Sequence, residues 1–251
     1  MRRTPAGILF FMASSATVIA ADPAWAMHVS EGILPFSWAA LWAVVSLPFL
    51  AWGMRDLRER SQREPHFKAL VGLVGAGVFV ISCMPIPVPT AGTCSHPCGT
   101  GIAAILIGPC LSSVVASVAL TLQALFLAHG GLTTLGANIF SMGIAGSFAG
   151  YGAFRLARSL GASPFVAAFC AGLLADWATY AATSLTLSLA LHDDGSFWSM
   201  FVSILLAFVP TQVPLGILEG FISGVAYGFV HSRRPEILGT LVKGEAPCSS
   251  S

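Results

Sequence analysis

The sequence predicts an all-α protein: a polytopic transmembrane helical bundle of about seven crossings in the mature chain, N-terminus outside and C-terminus cytoplasmic. Three observations predict it. Of 251 residues, 55% are hydrophobic and only 9% charged, whereas an ordinary soluble domain is about a quarter charged. Apolar runs fall at about 36–54, 68–84, 99–108, 110–128, 136–158, 163–191 and 198–231, and several are long enough to span lipid. The basic residues of the mature chain stand in three groups: Arg55 to Lys68, Arg155 with Arg158, and Arg233, Arg234 and Lys243. Such groups mark cytoplasmic ends. The connections are short and no soluble domain interrupts them.

The chain opens like a secretory leader. Arg2 and Arg3 form a positive start, and Gly7 to Ala20 is apolar but shorter than the ~20 residues of a span. Ala24-Trp25-Ala26 fits a signal-peptidase site. The expected division is a cleavable signal peptide over 1–26 and a transmembrane metal-binding domain over 27–251; an uncleaved anchor is the alternative. Cutting after Ala26 frees the amine of Met27 beside His28. The amine, the His28 backbone nitrogen and an imidazole nitrogen can all reach one metal ion. That nitrogen set suits tetragonal Ni(II) and Cu(II) and can hold Co(II).

From an outside Met27, run 36–54 crosses inward and 68–84 returns, which leaves 85–98 outside. Arg155 must then end an inward crossing. That requires an even number of crossings, or a re-entrant excursion, within 99–128. Gly108-Pro109 supplies the break: 99–108 is a short inward segment and 110–128 returns. The last run is too long for one straight span, so Pro210 and Pro214 kink it or its start lies at the interface. Charge counting thus gathers the new N-terminus, the loop 85–98 and the turn His129-Gly130-Gly131 on one side.

The loop is rich in proline and glycine, and such backbone beside membrane helices must be buried in protein or line a cavity. His96 stands near its centre. Spacing alone leaves it open between a fourth nitrogen ligand and a structural histidine. Cys94 and Cys98 flank it, and their spacing allows a soft site with His96, a disulfide in an oxidising compartment, or neutral thiols. Glu31 either orients a ligating imidazole or is an exposed acid near a helix start. His129 either lines the same pocket or caps a helix. Gln123, Asp176 and Glu219 lie in apolar runs and are expected to face the bundle interior. Cys83, Cys110 and Cys170 read as small core residues, and Cys248 lies in a polar tail. His66, His192 and His231 fall in loops or at helix ends. Ala39-x-x-x-Ala43 permits a close helix approach.

Several signatures are absent from the sequence. There is no Gly-x-x-x-x-Gly-Lys-Ser/Thr phosphate loop, no His-Glu-x-x-His pair and no Gly-x-Ser-x-Gly elbow. No basic patch interleaved with aromatics points to nucleic acid.

Three blocks resemble a known family. They are Met27-His-Val-Ser-Glu-Gly-Ile-Leu-Pro35, Gly92-Thr-Cys-Ser-His-Pro-Cys-Gly-Thr-Gly101, and Gln123-Ala-Leu-Phe-Leu-Ala-His-Gly-Gly-Leu-Thr-Thr-Leu-Gly-Ala-Asn138 with Ser141-Met142-Gly143 after it. Together they resemble the substrate-binding component of cobalt and nickel energy-coupling-factor transporters. The resemblance covers nearly the whole mature chain. It implies a bacterial inner-membrane subunit without its own ATPase site, which captures Co(II), alternatively Ni(II), as cargo and needs no cofactor. It also implies a supply of cobalt to cobalamin biosynthesis. The implied partners are a transmembrane coupling subunit, cytoplasmic ATPase subunits and a small additional membrane subunit, within membrane lipid. The implied ligands are Met27, His28 and His96, with Glu31, Ser95, His129 and Asn138 around them. Cys98 departs from the threonine more usual in the cobalt members, which keeps a Cys94–Cys98 bond or a thiolate contribution open. Two other classes compete. A membrane metalloenzyme using His28, His96 and Glu31 would need an open coordination position and a general base. A metal sensor would signal through a partner.

Overall fold

The computed structural model describes residues 28–84, 86–88, 93–127, 129–192, 195–235 and 238, with the side chains of 86–88 and 93–95 excepted. The leader, Met27 and Cys248 lie outside the described residues, as do the side chains of Cys94 and Ser95.

Helix α1 is Phe36–Arg63, preceded by Pro35 and ended by Arg60 and Arg63 in its last turn. Cations there complement the helix dipole. Helix α2 is Phe67–Ser82. A two-stranded antiparallel ribbon follows, β1 (Ile86–Val88) against β2 (Thr93–Ser95). This short loop ribbon is the non-helical element among the described residues, and the rest of the fold is helical as expected. A proline-rich chain cannot close a helix here, and pairing its two arms satisfies part of the backbone instead. Helix α3 is only Thr100–Ile107, and α4 begins at Pro109 and runs to Phe126. The break expected at Gly108-Pro109 is present, because Gly108 takes a φ of +92° and proline is at home in a first helical turn.

Leu135–Asn138 (α5) leads without interruption into a π-helical stretch, Ile139–Gly146, and then α6, Ser147–Ser159. The Gly143 carbonyl in this stretch accepts a hydrogen bond from outside its own helix. Ser113 Oγ supplies it from α4 at 2.8 Å. Helix α7 is Pro164–Leu191, capped by Ser163, whose hydroxyl accepts from Val166 N. Helix α8 is Phe197–Arg233, capped by Ser196, with Pro210 and Pro214 inside one continuous helix. His66, His192 and His231 stand at helix ends as expected.

Among the described residues, four helices are long and apolar enough to cross a membrane: α1, α4, α7 and α8. Large apolar side chains such as Val44, Leu73, Val118, Leu206, Val225 and Phe229 are exposed on the outside, as a lipid-facing surface requires. The interior is built on small residues. A Cβ on Gly101 would lie 2.7 Å from the Ala171 carbonyl, and one on Gly136 would lie 2.4 Å from Ala43 Cα. Close backbone approach of this kind packs helices without a hydrophobic driving force, and the Ala39/Ala43 stripe of α1 serves it against α5. Helix α3 is the inner element. Its residues are almost all buried, and Ser112 Oγ donates to its Thr100 carbonyl.

Candidate metal centre

Residues 28–31 precede α1 as an irregular strap over the turn that follows α4. The strap is held by backbone. Val29 N donates to Asn138 Oδ1 at 2.8 Å, and Asn138 Nδ2 and Thr134 Oγ1 donate to the Val29 carbonyl. The turn must be glycine: Gly130 has a φ of +83° and Gly131 lies directly beneath the Glu31 backbone. Both allow an approach that a side chain would block.

This strap sets His28 beside two other histidines. His28, His96 and His129 each offer a ring nitrogen, and the three nitrogens lie within 4.8 Å of one another. His28 Nε2 is 3.2 Å from His96 Nε2. The His129 ring centroid lies 5.0 Å from that of His28 and 5.1 Å from that of His96. Spacing left His129 between a pocket residue and a helix cap; it is in the cluster.

Hydrogen bonds fix which nitrogens carry protons. A carbonyl only accepts, so His96 Nδ1, 3.0 Å from the Pro97 oxygen, holds the hydrogen, and its bare Nε2 is the acceptor facing His28 Nε2 at 3.2 Å. His28 Nε2 likewise donates to Gln123 Oε1 at 3.2 Å, which leaves Nδ1 as the free lone pair. Gln123 is oriented in turn, since its amide donates to Ser82 Oγ at 2.7 Å. Burial, then the neighbouring histidines, pushes the His28 pKa well below its usual value. Burial, then His129, lowers His96 to about 4. Both imidazoles are therefore neutral at physiological pH, the state that binds metal.

Two expectations change. Glu31 does not orient His28. Its carboxylate accepts from Thr133 N at 3.2 Å on the exposed side of the strap, and the Thr133 hydrogen bonds hold its pKa below the usual value. The partner of the His28 ring is Gln123, which a glutamine buried in an apolar run does not announce. Cys98 carries a free thiol, so no Cys94–Cys98 disulfide is formed. Nor does Cys98 turn to the histidines: its Sγ lies 3.8 Å from Asp176 Oδ1, deeper in the bundle. Asn138 stands next to the cluster, where its amide grips the Val29 backbone.

Residues 28–237 match the family model described as the cobalt uptake substrate-specific transmembrane region, CbiM. The chain belongs to the CbiM family. It is 59% identical over 234 residues to a cobalt transport protein CbiM of Geobacter sulfurreducens, covering 92% of this chain and 68% of that one. It is also 59% identical over 215 residues to a CbiM of Sorangium cellulosum, covering 86% and 96%. A crystal structure of a truncated transition metal transporter superposes with a TM-score of 0.67 at 26% identity, covering 84% of this chain and 99% of that one. A second transition metal transporter structure superposes with a TM-score of 0.73 at 24% identity, covering 87% and 99%, and that likeness concerns the fold alone. The family assignment places the histidine cluster in a multi-pass membrane protein of cobalt uptake.

Proposed function

We propose that the chain is the metal-capturing subunit of an ATP-driven cobalt importer, with its site facing outside. The observation that carries this reading is the convergence of His28, His96 and His129, from three separate segments, on one buried nitrogen cluster beside the N-terminal strap. Cleavage after Ala26 would put a free amine next to His28. The amine of Met27 and the backbone nitrogen and Nδ1 of His28 then form fused chelate rings, and His96 Nε2 supplies a fourth nitrogen. Only Nδ1 closes a six-membered ring with the backbone nitrogen. It is also the nitrogen left unprotonated when Nε2 donates to Gln123. The relatives' names favour Co(II) as cargo. A planar four-nitrogen set with a terminal chelate fits capture better than turnover, which also disfavours a metalloenzyme.

Seven crossings fit this reading. Helix α3 starts just after His96 and ends at Ile107, whose carbonyl accepts from Arg60 Nη1 at 3.4 Å. Arg60 belongs to the basic cluster that charge asymmetry assigns to the cytoplasm. The segment 96–108 thus runs from the metal end to the basic end, although its helix alone is far shorter than a span. The chain has no nucleotide motif, so the energy must come from a coupling subunit and ATPases acting on the cytoplasmic faces.

The test is uptake of radioactive cobalt by the mature chain alone and with its coupling subunit and ATPases. Concentrative uptake is expected only in the complete, ATP-supplied assembly. Concentrative uptake by the isolated chain in ATP-depleted vesicles would overturn the reading. A pH titration adds a second check. The metal must displace the amine proton, ordinarily held with a pKa of about 7.7–8.0, and the backbone amide proton. Because His28 is depressed and His96 lies at about 4, protons compete at the rings only in more acid solution. The sign is the same for all: acid releases and alkali captures. Affinity should fall about tenfold per pH unit for each proton displaced. It should steepen as pH approaches the His96 value. Flat affinity between about pH 5 and 8 would remove this ligand set.

A further inference from the structure

A second cluster lies further into the bundle. Cys98, Asp176 and Glu219 each offer a ligand atom, with all three atoms within 4.8 Å of one another. They come from the loop before α3, the middle of α7 and the middle of α8. Their exposures are 1%, 0% and 1%, so no bulk water reaches them. Glu219 grips the backbone: its oxygens accept from Cys98 N at 2.7 Å and Gly99 N at 2.8 Å. This fixes the Cys98 side chain, whose Sγ faces Asp176 Oδ1. The other oxygen, Asp176 Oδ2, is fully buried and has no hydrogen-bond partner. It points at the stripe of α8 that carries Glu219, since a Cβ on Gly216 would lie 3.1 Å from it.

Two carboxylates in an apolar bundle are costly, and neither has an ion-pair partner among the described residues. A divalent cation answers both facts at once. It satisfies the orphaned oxygen and offsets carboxylate charge that burial would otherwise neutralise by protonation. A sulfur and two carboxylate oxygens form a mixed donor set that accepts borderline divalent ions such as Co(II) and Zn(II). Cys98 is two residues beyond His96, and the Tyr180 hydroxyl reaches the His96 carbonyl at 3.5 Å from the turn after Asp176. The cluster therefore adjoins the histidine site on its inward side.

We propose that Cys98, Asp176 and Glu219 form a second divalent-metal site, at which the ion captured by the histidines pauses on its way through the bundle. The pause rests on the capture reading; the site itself does not. On transfer the ion leaves nitrogen for sulfur and oxygen donors. As the Co–S bond forms the Cys98 S–H bond breaks, its proton goes to the His28 backbone nitrogen that the ion vacates, and no electron is transferred.

The test is titration of cobalt(II) chloride into the purified mature protein, followed by metal analysis and absorption. Two Co(II) per chain are expected, with a thiolate-to-cobalt charge-transfer band in the near ultraviolet for the inner one. Cys98→Ser should abolish that band, and Asp176→Asn, which keeps the side-chain shape, should weaken the inner phase at least tenfold. Circular dichroism checks that both variants fold. His96→Ala should remove the outer phase and keep the sulfur band. One Co(II) per chain without a sulfur band, or a band that survives Cys98→Ser, overturns the inner site and leaves the outer one standing. A sulfur band with no nitrogen phase has the opposite meaning: the inner site stands and the capture reading fails.

Discussion

Inserting one alanine between Ala26 and Met27, with cleavage preserved, is expected to abolish high-affinity cobalt binding. The insertion changes no residue within the bundle. It moves the free amine one peptide unit from His28, and the fused rings can no longer close on one ion. Loss of a chelating ligand together with its ring costs far more than the tenfold to hundredfold typical of removing an outer partner. His28→Ala and His96→Ala should fail as well, yet they also disturb the neutral histidine cluster and are less diagnostic. Equilibrium dialysis with cobalt, alongside N-terminal sequencing of the inserted protein, is the measurement. Undiminished binding by a correctly cleaved insertion variant would show that the amine is not a ligand.

The expectation about the amine came from sequence because it depends on neighbours in the chain. Ala24-Trp25-Ala26 and Met27-His28 are contiguous, so their chemistry needs no fold. The same holds for the break at Gly108-Pro109, where backbone preference is local. Contacts across the bundle were not legible. Gln123 meets His28 across 95 positions, and Cys98 meets Asp176 and Glu219 across 78 and 121. Hydropathy marks such polar residues as inward-facing without saying whom they face. The basic end of α1 was missed for another reason. Arg55 to Arg63 breaks the apolar pattern, but the helix continues because arginine and glutamate are good helix formers. Topology nonetheless placed His28, His96 and His129 at one end before any contact was known, and the described geometry joins them there.

The second large effect is expected from Gly131→Val, which touches no ligand. A Cβ at this position would lie 2.6 Å from the Glu31 backbone nitrogen and 2.6 Å from Thr134 Oγ1. Real side chains do not reach such separations, and backbone cannot turn aside as a rotamer can. The strap over the turn must lift, and His28 lifts with it. The bundle should survive, because Val29 of the strap belongs to a small cluster of its own with α1 and α5, while α3, α7 and α8 pack on one another without it. Cobalt affinity should fall at least a hundredfold, beyond the usual range for an outer partner, with little change in helicity. Asn138→Ala offers a graded comparison. It removes two hydrogen bonds to Val29, each worth about 1 kcal/mol, but leaves the one from Thr134 and the space for the strap. Its expected cost is tenfold to hundredfold in affinity, about the range found for outer-shell partners. Both effects can be read by cobalt titration at fixed pH. If Gly131→Val binds cobalt as the parent does, then the strap does not position the metal. If it unfolds the protein, the Asn138→Ala affinity decides between the two, since that variant adds no atom to the crowded turn.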